Sequence, residues 1–318
     1  MARLRDPQQL VDALREGDRG ALARALSLVE QGGQPARDIG RLAYPFGGHA
    51  YTVGLTGAPG AGKSTLTNAL ITHVRADGDR VAVLAIDPSS PFTGGAILGD
   101  RVRMQDHALD AGVFIRSMAT RGHLGGLALA TPQAIRVLDA AGAPWVLLET
   151  VGVGQVEVEV AGAADTTVVV VNPGWGDAVQ ANKAGLMEIA DVFVINKADR
   201  AGVGETRRDL ETMLELSELR AEDWRPPIVA TVAAKSEGID ELWAAVTAHR
   251  AHLEATGGLD QRRSDRVLDE LRTIVTRSLE MRAYELTTTE TFEELHQAVM
   301  ERDLDPYAAA DKILDPLT

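Results

Sequence analysis

Between residue 7 and about residue 43, apolar side chains recur at helical spacing: Leu10, Val11 and Leu14 in one stretch, Leu22, Ala25, Leu26 and Val29 in the next. Breaks at Gly17 and Gly32/Gly33 divide the stretches, so the pattern predicts a small helical N-terminal extension. From Ala50 the period changes. Short apolar runs at 50–56, 81–86, 113–118, 145–149, 166–171, 192–196 and 228–232 alternate with helix-length segments and are bounded by Gly, Pro and Asp. Runs of this kind belong to strands covered on both faces, which predicts a largely parallel sheet with crossover helices. The segment QVEVEVAGA (155–163) alternates as a strand does. If 145–149 and 166–171 are parallel strands, however, a crossover must lie between them, and helix is the expectation there. After about residue 255 the strands stop. Val267, Leu268, Leu271, Ile274, Val275 and Leu279 fall on one helix face, and Phe292, Leu295 and Val299 mark another helix. Two uses of that tail stay open: packing against the parent domain, or a helical arm for dimerisation, since two helices bury little by themselves.

Composition narrows the partners. With 32 basic and 46 acidic residues the net charge is −14, which gives no overall case for binding nucleic acid and favours proteins or small molecules. The 318 residues allow one large α/β domain with extensions, or two domains. No cysteine occurs, which excludes disulfides, thiolate metal sites and cysteine nucleophiles and suits a reducing cytoplasm. The N-terminus carries no signal-peptide apolar region, and no apolar run approaches the roughly 18 residues of a membrane span. A cytoplasmic protein without a membrane role is therefore expected. His249 and His252 lie within one helical turn; with no cysteine beside them, they read as an exposed helix face rather than a metal site.

The chemistry begins at Gly57-Ala58-Pro59-Gly60-Ala61-Gly62-Lys63-Ser64-Thr65, which follows the apolar run YTVGLT and opens the helical stretch LTNALITHV. That context is what a phosphate-binding P-loop requires. Glycines let the backbone curl so that its N–H groups point at a β-phosphate, and the helix N-terminus adds a positive dipole. Lys63 is placed to reach the β and γ oxygens, and Ser64 to offer its hydroxyl to Mg²⁺. The fold class is accordingly α/β, a P-loop NTPase with a largely parallel sheet flanked by helices. Its expected organisation is 1–46 helical extension, 47–255 P-loop domain and 256–318 C-terminal helical arm.

Asn196-Lys197-Ala198-Asp199 ends the apolar run DVFVI. A carboxylate at Asp199 accepts paired hydrogen bonds from guanine N1–H and N2–H₂. Adenine has no such donor pair, so the pattern favours GTP and GDP over ATP. Val232-Ala233-Ala234, after PIVAT, is a second candidate base loop whose N–H could meet guanine O6. Carboxylates at strand ends can serve Mg²⁺. Glu149 ends WVLLE in an E-T-V-G sequence, where it can hold a metal-bound water while Gly152 presents its N–H to a γ-phosphate. Asp87 opens the turn DPSSP, and Asp100 closes the loop TGGAILGD.

Together, GAPGAGKST (57–65), DPSSPFTGGAILGDRVRM (87–104), IRSMATRGHLGGLA (115–128), ETVGVGQVEVEVA (149–161) and NPGWGDAVQANKAGLMEIAD (172–191) resemble the methylmalonyl-CoA mutase-associated GTPases of the MeaB/ArgK type, whose human member is the cobalamin type A protein. The resemblance implies a GTPase that is weak alone and stimulated by its partner. It further implies a homodimer joined through C-terminal helices. Its function would be that of a chaperone coupling GTP hydrolysis to cofactor loading and protection of adenosylcobalamin-dependent methylmalonyl-CoA mutase, or of a related acyl-CoA mutase. By the same resemblance Ser64, Asp87, Asp100 and Glu149 match Mg²⁺-linked positions, and Asp177, Gln180 and Lys183 match a switch that responds to the mutase. Gln155 does not stand where small GTPases carry their water-orienting glutamine. Trp175 replaces the alanine frequent in the family, and TVAAKSEGI varies the usual base-loop pattern.

Two other readings compete. A metal-insertion GTPase of the nickel type would want Cys/His ligands, and the chain has no cysteine. A P-loop metabolic kinase is opposed by Asp199 and by the lack of an evident substrate domain.

Overall fold

The computed structural model describes residues 6–87, 107, 109–119, 126–150, 160–174, 188–216 and 223–314. All seven apolar runs are strands: β1 (Tyr51–Gly57), β2 (Val81–Asp87), β3 (Val113–Ala119), β4 (Trp145–Thr150), β5 (Thr166–Val171), β6 (Val192–Asn196) and β7 (Ile228–Thr231). They form one sheet in the order β3-β2-β4-β1-β5-β6-β7, and every pairing is parallel. β1 sits at the centre because its residues pair with β4 on one side and β5 on the other, Leu55 opposite both Glu149 and Val168. Parallel neighbours demand crossovers, and residues 160–163 are helical, as expected for the end of the β4–β5 connection. The remainder of that segment, 155–159, lies outside the described residues.

Both faces are covered. α1 (Pro7–Arg15), α2 (Arg19–Gln31), α3 (Gly33–Ala43) and α5 (Gly126–Ala140) bury Leu10, Leu14, Leu26, Ile39 and Leu138 against Leu84, Ile86, Val146 and Leu148. Each such side chain contributes about 1.5–3 kcal/mol, so the N-terminal helices form part of the core layer. Local chemistry sets their ends. Asp6 and Asp18 cap α1 and α2 by accepting from Gln9 N and from Gly20 and Ala21 N, and Gly32 closes α2 at φ +73°. An Arg116–Glu30 ion pair at 2.6 Å ties the edge strand β3 to α2. On the opposite face α4 (Lys63–Ala76) and α7 (Ile239–Thr256) pack Leu66, Leu70, Leu242 and Val246 on Val53, Leu55, Val168 and Val194. α6 (Val203–Leu216) covers Val169, Val171, Phe193 and Ile195 with Leu210 and Leu214.

α8 (Gly258–Leu286), α9 (Glu290–Met300) and α10 (Pro306–Leu314) complete the chain, which divides into two compact units, Met1–Arg266 and Val267–Thr318. Within the second unit Val267, Leu268, Leu271, Ile274, Val275 and Leu279 are 39–56% exposed. Among the described residues no helix is long and apolar enough to cross a membrane.

At the N-terminal edge of the sheet, two buried aspartates meet the first turns of α8. Asp165, just before β5, accepts from Thr52 N at 2.9 Å and from Arg263 Nη2 at 2.9 Å, and it pairs with Arg266. Burial pushes its pKa up, but the Arg263 hydrogen bond and the charges of Arg266 and Arg263 prevail, and the carboxyl is held below its ordinary value. Asp191, just before β6, takes a two-pronged contact from Arg262 at 2.9 and 2.8 Å and accepts from Thr167 N.

The same network corrects the expectation for His249, which is fully buried rather than on an exposed face. Its Nδ1 lies 2.9 Å from Thr166 Oγ1, itself bonded to Tyr51 Oη, and its Nε2 lies 3.3 Å from Asp191 Oδ1. Trp224 packs between His249 and the half-buried His252, its ring centroid 4.9 Å and 5.3 Å from theirs. No group of three or more His, Cys, Asp or Glu able to hold a metal occurs among the described residues. Burial drives the His249 pKa from 6.5 to about 4; Asp191 and Asp165 oppose that shift, and Arg262 and His252 reinforce it. The unfolded chain therefore binds this proton first. The contribution to stability is complete above pH 6.5 and is lost as pH falls toward 4, a loss of about 2 kcal/mol at pH 5. Urea unfolding at pH 7 and pH 5 should show this difference, and His249→Gln should remove most of it; equal pH dependence in the two chains would contradict the assignment.

Candidate nucleotide site

The C-terminal edge of the sheet carries the chemistry. β1 ends at Gly57 with φ +132°, and a Cβ there would collide with the Val170 carbonyl of the neighbouring strand. Gly62, φ +92°, opens α4, and a Cβ there would collide with the Asn196 carboxamide. Only glycine permits both the backbone twist and the close approach. Between them the loop Gly57–Gly62 curls ahead of the α4 N-terminus, the geometry that presents amides and a positive dipole to an anion.

Lys63 is 6% exposed, and its ammonium donates to the carbonyls of Gly57 at 2.6 Å and Ala58 at 3.1 Å. A cation is thus held inside the loop that receives phosphate. Ser64 Oγ donates to Glu149 Oε1, and Glu149, at the end of β4, is 2% exposed. This pairing of a hydroxyl and a carboxylate beside the loop is a hard-oxygen donor set of the kind Mg²⁺ takes, so the residues present fit that ion.

The residues expected to recognise the base meet the same loop. Asn196 Nδ2 donates to Ala61 O at 2.8 Å, while its Oδ1 accepts from Thr231 Oγ1 at 3.2 Å and Ala233 N at 3.1 Å. Lys197, in a left-handed conformation at φ +59°, donates to Gly60 O at 2.6 Å. Asp199 is exposed and lies 3.6 Å from Lys235 Nζ. The turn Val232–Ala234 is closed by a bridge between Val232 and Glu237 and stands beside Asn196. One end of β6 therefore brings Asn196, Lys197 and Asp199 together with the base loop and Gly57–Ser64, as the two motifs require.

Other expected residues are placed less fully. Asp87 ends β2, its backbone paired with Ala119, but its side chain lies outside the description. Asp100, Gly152, Gln155, Trp175, Asp177, Gln180 and Lys183 lie outside the described residues. Three participants were not anticipated: Lys235 beside Asp199, Thr231 on Asn196, and Asn172, whose Nδ2 is 3.4 Å from Gly60 O. Asn172 directly follows an apolar run and Thr231 ends β7, which could have flagged them; Lys235, in the turn after β7, carries no such signal.

A parallel sheet whose central strand passes through a lysine-bearing glycine loop into a helix, with an N-K-x-D turn against that loop, defines a P-loop guanine-nucleotide-binding protein. More specifically, residues 22–288 match the family model described as methylmalonyl Co-A mutase-associated GTPase MeaB, and the chain belongs to that family. A Pyrococcus abyssi relative is 53% identical over 308 residues, covering 96% of this chain and 95% of that one. GTPase ArgK of Escherichia coli is 40% identical over 266 residues (81% and 80%). The mouse mitochondrial methylmalonic aciduria type A homolog is 35% identical over 275 residues (80% and 66%). Among solved structures, one titled LAO/AO transport system kinase superposes with a TM-score of 0.72 at 29% identity, covering 99% of each chain. Membership makes this chain a GTPase that binds GTP and GDP.

Proposed function

We propose that this GTPase is the accessory chaperone of an adenosylcobalamin-dependent mutase, methylmalonyl-CoA mutase or a related acyl-CoA mutase, and that it couples GTP hydrolysis to cofactor loading and protection of that enzyme. The observation that carries the reading is the match of residues 22–288 to a family described by its association with that mutase. A cysteine-free sequence suits action in a reducing cytoplasm.

In this reading Lys63 and the amides of Gly57–Thr65 neutralise charge on the transferring phosphoryl group while water attacks in line. Ser64 and Glu149, joined by Asp87 and Asp100, would hold Mg²⁺, which supplies further charge neutralisation at the phosphates. Gly152 would donate to the γ-phosphate. Asn196, Lys197, Asp199 and the Val232–Ala234 turn hold guanine. Asp177, Gln180 and Lys183 would form the switch through which the mutase stimulates hydrolysis, so turnover without the mutase is slow. The exposed apolar stripe from Val267 to Leu279 supports a homodimer, because a face of that size left in water favours a second copy.

GTP turnover measured with and without methylmalonyl-CoA mutase tests the proposal. The mutase should raise the rate, Lys183→Ala should lose that stimulation, and a non-hydrolysable GTP analogue should change retention of the mutase in a pull-down. Full turnover without any mutase, or stimulation that survives Lys183→Ala, would overturn the switch assignment.

A further inference from the structure

Two side chains converge on one oxygen of the phosphate loop. Gly60 O accepts from Lys197 Nζ at 2.6 Å and lies 3.4 Å from Asn172 Nδ2, which makes the ammonium and the carboxamide neighbours. Each has capacity to spare. The ammonium carries three donors, and Gly60 O is its one hydrogen-bond acceptor among the described residues. Asn172 Oδ1 is buried with no hydrogen-bond partner among the described residues, a costly state for a carboxamide oxygen. The orientation of this amide is set by its contact, because the flipped form would press two acceptor oxygens together.

The backbone delivers both groups to that point. Asn172 directly follows β5, and the next residues are held: Gly174 N donates to Thr206 Oγ1 at 3.2 Å, and Gly202 packs against Pro173. Lys197 is fixed in its left-handed conformation by Ala198 N donating to Thr231 O at 3.0 Å.

We propose that Asn172 is a positioning residue for nucleotide binding. Its Nδ2 shares Gly60 O with the Lys197 ammonium, and its unpartnered Oδ1 is an acceptor open to that ammonium's spare donors, which joins the phosphate loop, the base loop and the start of the 172–191 segment. A nucleotide spans the first two of these, so holding them in register before binding strengthens the complex without touching the reacting atoms. The inference rests on the assignment of Gly57–Thr65 and Asn196–Asp199 as the nucleotide site.

Calorimetry with GDP and with a non-hydrolysable GTP analogue tests it. Asn172→Ala should weaken both by about tenfold, the effect of one hydrogen bond to a charged group. Asn172→Gln, which keeps both a donor for Gly60 O and an acceptor for the ammonium, should bind more tightly than Asn172→Ala. In a Lys197→Ala background, Asn172→Ala should add less than about twofold, since coupled residues do not contribute independently. In turnover assays KM should rise while kcat at saturating GTP holds. Thermal melting shows that the variants are folded, and Asn172→Gln carries the comparison through the cycle if Asn172→Ala is not. An unchanged affinity in Asn172→Ala, an Asn172→Gln as weak as Asn172→Ala, or additive losses with Lys197→Ala would each overturn the proposal. Lys63→Ala separates the two levels. If it loses nucleotide while Asn172→Ala does not, only the role of Asn172 falls; if it binds normally, the site assignment falls.

Discussion

Lys63→Ala will lose tight GTP binding, and its kcat/KM will fall by about a thousandfold or more, the scale expected when the cation facing a transferring phosphoryl group is removed. The structure explains why no neighbour can substitute. The ammonium is enclosed by the loop it serves, donating to Gly57 O and Ala58 O, whereas the other lysine at the loop, Lys197, is committed to Gly60 O on the base side. Arginine is a poor replacement because a planar guanidinium does not fit a cradle shaped for a compact ammonium. Calorimetry with GDP and steady-state turnover with GTP, on a variant whose melting matches the parent, measure the effect. Turnover within tenfold of the parent would place the phosphate elsewhere.

Asp165→Asn will destabilise the unit Met1–Arg266 by about 3–5 kcal/mol, the cost of leaving buried or half-buried charges without their counter-ion. Asp165 is 1% exposed, and Arg263 and Arg266 are each about a quarter exposed, so solvent cannot replace the carboxylate. Asparagine still accepts from Thr52 N, which confines the loss to the ionic part of the network. For a unit of this size the melting temperature should drop by about 10 °C. The sign of the pH dependence is fixed as well. Because the folded carboxyl titrates below its ordinary value near 3.8, its contribution is complete above that pH and disappears as pH falls through the folded value. Melts of the two chains should converge in acid. A difference under about 1 kcal/mol at pH 7 would mean that the arginines are stabilised some other way.

Periodicity was enough to find all seven strands, because a parallel sheet buried on both faces writes each strand as an unbroken apolar run such as TVVVV or VFVIN. The glycine loop was legible for a related reason: Gly57 and Gly62 occupy positions where any Cβ collides, so the sequence has no latitude there. Polar burial was not legible. Arg262, Arg263 and Arg266 sit in the run DQRRSDR, which reads as a solvated helix face until Asp165 and Asp191, some 70 to 100 positions away, are folded against it. His249 misled for the same reason. Its buried partners, Thr166 and Asp191, are distant in sequence, and α7 gives no local sign of which polar side faces inward. Asn172 is a third case, identified only by a carbonyl oxygen 112 residues earlier in the chain.

The packing of Trp224 over His249 gives this chain a built-in optical probe. An imidazolium quenches indole emission more strongly than a neutral imidazole does, and the two rings stand with centroids 4.9 Å apart. Trp145 and Trp243 lie against each other at 4.5 Å in another part of the core. Proton uptake by His249 will therefore dim the Trp224 emission in particular, so unlabelled protein can report protonation and unfolding of this edge in one acid titration.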